Sequence, residues 1–181
     1  GPKTVTATFT QNLYPLTMIV NGQGSVTPGN QTFTSGTIVN IQAINAIGWT
    51  FAGWSGDASG TSNTTVTLNT AKTVTATFTQ DYYTFTMFTI GSGSALPVNA
   101  TSYRYGDVLQ LQGTPISGWV FQGWSGDTTG TSNKSLVITK NTTVTATFVQ
   151  EQYTLTMYVS GQGTVSPGNS TQPSSTIVNL L

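Results

Sequence analysis

Apolar and hydroxyl side chains alternate with a period of two residues through most of this chain. In the segment 3–11, single threonines separate Val5, Ala7 and Phe9, and the segment 83–87 shows the same alternation. Successive side chains of a β-strand point to opposite faces, so this pattern is typical of strands with one buried face. No segment has the apolar spacing of a helix. The same criterion predicts further strands, each with a counterpart one repeat later, at 37–43, 50–54, 64–68 and 73–79.

The chain repeats itself, and this self-similarity determines its organisation. Residues 3–11 recur letter for letter as 72–80 and, with two changes, as 142–150. The sequence Gly-Trp-x-Phe-x-Gly-Trp-Ser-Gly-Asp occurs at 48–57 and again at 118–127. Equivalent positions in successive copies are 69 or 70 residues apart.

The period divides the chain into four parts. We expect the terminal strand of a preceding repeat at 1–12, full β-repeats at 13–81 and 82–151, and the N-terminal half of a further repeat at 152–181. This division indicates a segment of a longer array, or a subunit whose end repeats are incomplete. The predicted fold class is all-β, with tandem repeats of about 70 residues, each a small β-sandwich or partly open barrel of about six strands. The core rows are predicted to hold Val5, Ala7, Phe9, Met18, Trp49, Phe51 and their equivalents.

Hydroxyl groups take the place of charges in this sequence. Charged residues make up 6% of the chain, against roughly 25% in an ordinary soluble domain, while 37 residues are Thr and 17 are Ser. Five cations balance five anions, so we expect neither nucleic-acid binding nor a polybasic membrane contact. No stretch approaches the length and apolarity of a transmembrane helix, so no membrane insertion is expected.

Residues with catalytic chemistry are scarce. The sequence has no histidine and no cysteine, which excludes imidazole and thiolate chemistry. Each full repeat has one aspartate in its Trp-Ser-Gly-Asp motif, Asp57 or Asp127, without a second carboxylate nearby in sequence. An aspartate in such a turn favours a hydrogen bond to its own backbone over calcium, which takes about six to eight oxygen ligands. We therefore predict no enzyme activity, no catalytic residue, no cofactor and no metal site.

Several short motifs keep their order along the chain: Tyr-Thr-Leu-Thr at 153–156, Gly-x-Gly turns, Pro-Gly-Asn at 28–30, the Gly-Trp motif at 48–57 and Thr-Val-Thr-Ala-Thr-Phe at 73–78. In these residues the chain resembles the divergent internalin-B-type B-repeat family, over nearly its whole length. The resemblance implies a large secreted or cell-surface protein whose repeats serve as stalks, spacers or adhesive modules, and it implies no activity. The expected location is therefore extracellular or at the cell surface.

The paired tryptophans of each full repeat suggest a second function. Trp49 and Trp54 are five residues apart, so on a continuous strand they would point to opposite faces. One is then expected in the core beside Phe51, and the other, Trp54 with its equivalent Trp124, exposed or packed on the next repeat. An exposed aromatic ring can stack on a sugar. Trp54 and Trp124 are thus candidate ligand contacts of a carbohydrate-binding or adhesin module.

Asparagines in the pattern Asn-x-Ser/Thr are candidate acceptors for N-glycosylation. The chain has six of them: Asn30, Asn63, Asn99, Asn133, Asn141 and Asn169. Two interpretations stay open. Asparagine favours turns for its own hydrogen bonding, and glycans would supply the hydration that the missing charges do not.

The sequence as a whole favours a structural extracellular module that forms a stalk, spacer or filament on a cell surface. Its expected partners are neighbouring repeats of the same chain or of identical chains. The segment 3–12 is expected either to pair with a neighbouring subunit by strand addition or to belong to an adjoining repeat. The alternative, a carbohydrate-binding or adhesin module, would add surface glycans to the partners.

Overall fold

The structure of the protein is a computed structural model that describes residues 1–180, without the side chain of Thr101. Within that range it contains sixteen strands and no helix, and therefore no helix that could cross a bilayer. The strands are β1 (Leu13–Asn21), β2 (Gly24–Thr27), β3 (Gln31–Thr34), β4 (Thr37–Asn45), β5 (Trp49–Gly56), β6 (Thr64–Leu68), β7 (Lys72–Gln80), β8 (Tyr82–Ile90), β9 (Gly93–Leu96), β10 (Ala100–Arg104), β11 (Val108–Pro115), β12 (Trp119–Gly126), β13 (Lys134–Val137), β14 (Thr142–Gln150), β15 (Gln152–Leu155) and β16 (Ser170–Pro173).

The first repeat consists of two sheets built from β1 to β7. Four strands form one sheet in the order β3-β1-β7-β5, and three form the other in the order β2-β4-β6. β1 and β7 run parallel, from the pair Leu16–Lys72 to the pair Asn21–Thr77, whereas the other pairs are antiparallel. Parallel neighbours require a long crossover, which here is the rest of the repeat. The first strand therefore gains its second neighbour only when the last strand of the repeat returns to it.

The second repeat has the same arrangement. Its sheets have the orders β10-β8-β14-β12 and β13-β11-β9, and β8 and β14 pair in parallel from Phe85–Thr142 onward. The third copy contributes one antiparallel hairpin, β15-β16. The chain forms two compact units, 1–81 and 82–181, so this hairpin belongs to the same unit as the second repeat.

An apolar core lies between the two sheets of each full repeat. On the central strand β7, Val74, Ala76 and Phe78 are 0%, 0% and 3% exposed, because alternate residues of the strand face the second sheet. Both sheets contribute to each core. The first core holds Leu16, Met18, Val39, Ile41, Trp54, Val66, Leu68, Val74, Ala76 and Phe78. The second holds Phe85, Leu109, Leu111, Trp124, Ile138, Val144, Ala146 and Phe148.

The predicted all-β tandem repeats are confirmed. Of the two predicted architectures, a sandwich and a partly open barrel, each full repeat has the sandwich, because two sheets enclose one core. The strands predicted at 37–43, 50–54, 64–68 and 73–79 lie within β4, β5, β6 and β7. Each full repeat has seven strands rather than about six. The excess comes from short strands such as β2 and β3, four residues each, in glycine- and proline-containing sequence that is typical of turns.

The prediction of a strand with a buried face at 3–12 is wrong for the described chain. Residues 1–12 form no strand, and Val5 and Phe9 are each 93% exposed. Residues 3–11 have the sequence of β7, but β7 lies between β1 and β5 and opposite the second sheet. Among the described residues no strand pairs with 3–11 in this way. A segment of alternating residues buries its apolar side chains only where it pairs with neighbouring strands and packs against a second sheet.

Candidate functional site

The Trp-Ser-Gly-Asp motif of each full repeat lies at the end of β5 or β12, at a β-bulge. The pairing of β5 with β7 runs from Trp49 to Phe51 and resumes at Gly53, so that Ala52 has no partner on β7. A bulge of this kind places two residues of one strand opposite one of the other. Gly53 has φ 150°, in the region that side chains rarely adopt. The alternation of faces therefore shifts by one residue between Phe51 and Trp54.

Because of this shift, Phe51 and Trp54 point to the same side, into the core. Their rings meet edge to face with centroids 4.9 Å apart, a favoured aromatic geometry. Trp54 is 5% exposed, and its Nε1–H donates to the carbonyl oxygen of Ser62 at 2.9 Å. The backbone N–H of Trp54 donates to the carbonyl of Gly60 at 2.8 Å. The tryptophan thus ties the loop after β5 to the core.

Trp124 repeats this arrangement in the second unit. It is 4% exposed, its ring centroid lies 4.8 Å from that of Phe121, and its Nε1–H donates to Ser132 O at 2.9 Å. The bulge again falls between Phe121 and Gly123. Two copies with different surrounding sequence fold the motif in the same way, so the geometry belongs to the motif itself.

The prediction that Trp54 and Trp124 are exposed ligand contacts is therefore wrong. It assumed a continuous strand, on which residues five apart point to opposite faces, whereas the bulge brings Trp54 to the same side as Phe51. Trp49 is half-buried, and its ring packs near Gly22. Trp54 and Trp124 thus present no free ring face of the kind that stacks on a sugar.

Glycines of the Gly-x-Gly turns are structural residues that the sequence analysis treated only as turn markers. Gly22 has φ 87°, and a side chain there would fall against the carbonyl oxygen of Phe78. A Cβ on Gly24 would lie 2.5 Å from the Phe78 ring. The signal for this role was present in the sequence, since the Gly-x-Gly pair occurs in all three copies.

Asp57 and Asp127 directly follow β5 and β12, and each side chain links the C-terminal end of that strand to the last strand of its repeat. Asp57 Oδ2 accepts the Thr73 N–H at 2.7 Å, and Oδ1 accepts from Lys72 Nζ at 3.2 Å. Asp127 Oδ2 accepts the Thr143 N–H at 2.8 Å, and Oδ1 accepts from Lys140. The aspartates thus bond backbone, but across to β7 and β14 rather than within their own turns as predicted.

Both full repeats have an ion pair between this aspartate and a lysine, but the lysine occupies a different position in each repeat. Residue 142, which corresponds to Lys72, is threonine, and the lysine of the second repeat stands two residues earlier, at 140. The Thr73 N–H and the Lys72 ammonium hold the pKa of Asp57 below its ordinary value of 3.8. The Lys140 ammonium and the Thr143 N–H lower the pKa of Asp127 in the same direction.

These contacts leave the aspartates poorly suited to hold a metal ion, because both carboxylate oxygens of each are already engaged. Over residues 1–180, no group of three or more acidic, histidine or cysteine side chains comes together. Calcium in proteins usually has about six to eight oxygen ligands. The arrangement supports structure rather than metal chemistry.

Acid is expected to weaken both repeats through these aspartates. The pKa of each carboxyl is lower in the folded chain than in the unfolded chain. Its contribution to the stability of the fold is therefore complete at pH values above the unfolded-state pKa of about 3.9. This stabilising contribution is lost as the pH falls through the pKa of the carboxyl in the folded chain. The melting temperature of the wild-type chain should therefore fall more steeply between about pH 5 and pH 2 than that of a double variant, Asp57→Asn with Asp127→Asn. Calorimetry across that range measures this, and parallel curves for the two proteins would contradict it.

The structure places all six candidate glycosylation residues on the surface. Each lies in an exposed position and directly precedes a strand: Asn30, Asn63, Asn99, Asn133, Asn141 and Asn169. They are spread over both units.

The sequence predicted neighbouring repeats as partners, but it did not identify the residues through which the third copy contacts the second repeat. Gln150 Nε2 donates to the carbonyl oxygen of Ser174, the residue after β16, at 2.8 Å. The N–H of Ser174 donates to Glu151 O at 2.7 Å, which extends the β15–β16 hairpin as the bond from Ser35 to Asn12 extends that of β1 and β3. A Cβ on Gly118 would lie 2.6 Å from Ser174 Oγ, so this glycine permits the close approach. The available signal was the glycine that precedes the first tryptophan in both full repeats, at 48 and 118.

Comparison with known proteins agrees with this repeat structure. The model of the divergent InlB B-repeat domain matches twice in tandem, over residues 14–82 and 83–152. No curated protein and no solved structure matches the chain. The two family matches together cover more than half of the sequence, with the motif of Trp54 in one and that of Trp124 in the other. The chain belongs to the divergent InlB B-repeat domain family.

Proposed function

We propose that this chain is a structural extracellular module, part of a stalk, spacer or filament on a cell surface. Divergent InlB B-repeat domains are usually extracellular or surface-associated, and the family is typically non-catalytic. A surface poor in charge and rich in hydroxyl groups fits such a role, because with five cations against five anions it carries no strong field for a nucleic acid or a membrane.

The docking of the third copy on the second repeat carries the proposal. The carbonyl oxygen of Ser174 accepts from Gln150 Nε2, and the Ser174 side chain lies against Gly118, which has no Cβ. The residues that provide these contacts in the second repeat are Gln150 and Gly118, and the first repeat has Gln80 and Gly48 at the equivalent positions, so a tandem copy can offer the same groups. Arrays in which each repeat contacts its neighbours are extended spacers by construction.

Burial of the tryptophans weakens the adhesin alternative. A carbohydrate-binding surface needs an aromatic face open to solvent, and Trp54 and Trp124 are 5% and 4% exposed. Their indole N–H groups are also occupied, by Ser62 and Ser132. The residues on which that alternative depended serve the core instead.

Strand addition is the proposed way in which neighbouring copies associate. β15 ends at Leu155, the residue equivalent to Leu16 and Phe85, at which β1 and β8 begin their parallel pairing with a last strand. Beyond it Tyr158 is 89% exposed. A strand with the sequence of residues 3–11 matches that place, since it repeats β7. Such a strand is supplied by an adjoining repeat or by a second copy of the chain.

Electron microscopy tests the function and the association together. Gold-labelled antibody on intact cells should mark projecting structures outside the cell envelope, and label confined to the cytoplasm would overturn the proposed function. Negative stain of the purified chain at rising concentration separates the modes of association. Filaments with a regular axial repeat support pairing between copies. Short rods at every concentration contradict it and leave pairing to adjoining repeats of one chain.

A further inference from the structure

We propose that the six Asn-x-Ser/Thr asparagines of this chain are acceptors for N-linked glycans, so that each full repeat carries sugars at fixed places on its surface. The proposal rests on the extracellular location proposed above, because the modification requires export. It goes beyond the structural role, since it assigns a covalent modification to named residues.

All six asparagines share one backbone setting. Each is the last residue before a strand, as Asn30 is before β3 and Asn63 before β6, and the hydroxyl residue two positions later lies on that strand. The asparagine is therefore on a loop and exposed, while the chain that follows is extended. The six sequences thus present the acceptor at the same kind of place, an exposed residue at the start of a strand.

Hydrogen bonding fixes the direction of the amide in the three copies of the first site. Asn30 Oδ1 accepts the N–H of Met18 at 2.6 Å, and Asn169 Oδ1 accepts that of Met157 at 2.7 Å. Asn99 accepts the N–H of Met87 in the same way. A backbone N–H can only donate, so the atom that faces it must be the carbonyl oxygen. The amide nitrogen Nδ2, the atom that receives the sugar, is left on the other side.

At two further sites the side-chain amide has the same orientation, with its oxygen toward a backbone N–H. Asn133 Oδ1 accepts the Gly113 N–H at 3.1 Å, and Asn141 Oδ1 accepts the Thr84 N–H at 3.0 Å. None of the hydrogen bonds of residues 1–180 uses Nδ2 of any of the six asparagines. A glycosylated amide retains its carbonyl oxygen, so the glycan and the structural hydrogen bond are compatible. The turn-forming and glycan-bearing roles of these residues do not compete.

The hydroxyl residues of the pattern differ in their role in the fold, and the Ser135 hydroxyl after Asn133 donates to Gln110 Oε1 at 3.0 Å. Thr32 and Thr171, two positions after Asn30 and Asn169, take part through their side chains in none of the hydrogen bonds of the described chain. The fold therefore makes no hydrogen-bonding use of these hydroxyls, whereas the acceptor pattern requires them. The second repeat also keeps Asn99 with Thr101 although three of the four residues before Asn99 differ from those before Asn30.

The chemistry is a transfer from an activated donor, a lipid-linked oligosaccharide phosphate. Asn Nδ2 forms a bond to the anomeric carbon of the sugar as the bond from that carbon to the phosphate oxygen breaks. The lipid phosphate leaves with the electron pair of that bond, and one amide proton passes to a base of the transferase. No oxidant or reductant is involved, and the product amide keeps one N–H.

Glycans at these sites would also offset the composition of the surface. Many large apolar side chains are exposed, among them Ile47 at 80% and Val98, next to Asn99, at 68%, and only 6% of residues are charged. Sugars are bulky and solubilising. They supply hydration where ionic groups are absent.

Mass spectrometry of the chain produced in the organism that makes it tests the proposal. We expect an intact mass above that of the bare polypeptide and glycopeptides with the sugar on the sequon asparagines. Thr32→Val should remove the glycan from Asn30 while leaving the Met18 hydrogen bond in place. Thr17→Val, an exposed threonine on β1 outside any sequon, is the matched control and should change no glycan.

A gain of modification provides the sharper variant. Ala71 is exposed and directly precedes β7, as Asn141 precedes β14, and Thr73 stands two residues later. Ala71→Asn should therefore add one glycan. Unmodified sequon peptides in protein recovered from the cell surface would overturn the glycosylation proposal alone. Sugar found only on serine or threonine hydroxyls would overturn it as well. Unmodified protein recovered only from the cytoplasm would overturn the proposed function together with it.

Discussion

Trp54→Ala should destabilise the first repeat by about 3–5 kcal/mol, as truncation of large buried aromatic residues does. The change empties a core position that is 5% exposed and removes the edge-to-face contact with Phe51. It also removes the hydrogen bond from the indole N–H to Ser62, which holds the loop after β5. A domain of this size has about 5–15 kcal/mol of total stability, so much of the stability of the repeat is at stake. The melting temperature of that unit should fall on the order of 20 °C.

The chain provides its own controls for this experiment. Trp124→Ala should destabilise the second unit to a similar extent, because its contacts with Phe121 and Ser132 have the same geometry. Ile47→Ala removes an apolar side chain that is 80% exposed and should change stability by less than about 0.5 kcal/mol. Chemical denaturation followed by tryptophan fluorescence and circular dichroism measures all three. A loss below about 1 kcal/mol for Trp54→Ala would show that the indole is not a core residue.

The position of these tryptophans shows where sequence analysis reaches its limit. Alternation predicted most strands well, because Val74, Ala76 and Phe78 face the core at every second position. It failed at the bulge, since a one-residue shift in the pairing turns every later side chain to the other face. The glycine at position 53 is a sign of such a shift, but a glycine in a strand also occurs at turns and close contacts.

Long-range pairing is the other property that local patterns did not supply. The prediction for Asp57 placed its hydrogen bond within its own turn, whereas the carboxylate bonds Thr73, 16 residues later. That contact exists because β5 and β7 are antiparallel neighbours. The order of strands in a sheet depends on which faces fit together across the whole repeat. The repeat period located the copies, but it carried no information about which strands inside a copy are adjacent.

Gly22→Ala should destabilise the first repeat by about 3 kcal/mol or more, from two separate costs. The residue has φ 87°, and a left-handed conformation costs a side chain about 1–2 kcal/mol. The added Cβ would also press on the carbonyl oxygen of Phe78 and lie 3.0 Å from the Trp49 ring. Phe78 belongs to the central strand β7 and is 3% exposed, so the obstacle is backbone inside the sheet and cannot rotate away. Accommodating the methyl group requires β7 to move relative to β1.

Gly36→Ala separates these two costs, because Gly36 has nearly the same φ as Gly22 but has open space where a side chain would lie. Its φ is 84°, but a Cβ there would meet no atom within 4 Å. We expect this variant to lose only the conformational part, about 1–2 kcal/mol. The difference between the two variants in urea denaturation then measures the steric contact between the Gly-x-Gly turn and β7. Equal losses would mean that β7 yields to the methyl group at little cost. A larger loss at Gly22 would show that the turn after the first strand makes a rigid steric contact with the final strand, in addition to the parallel pairing of β1 with β7.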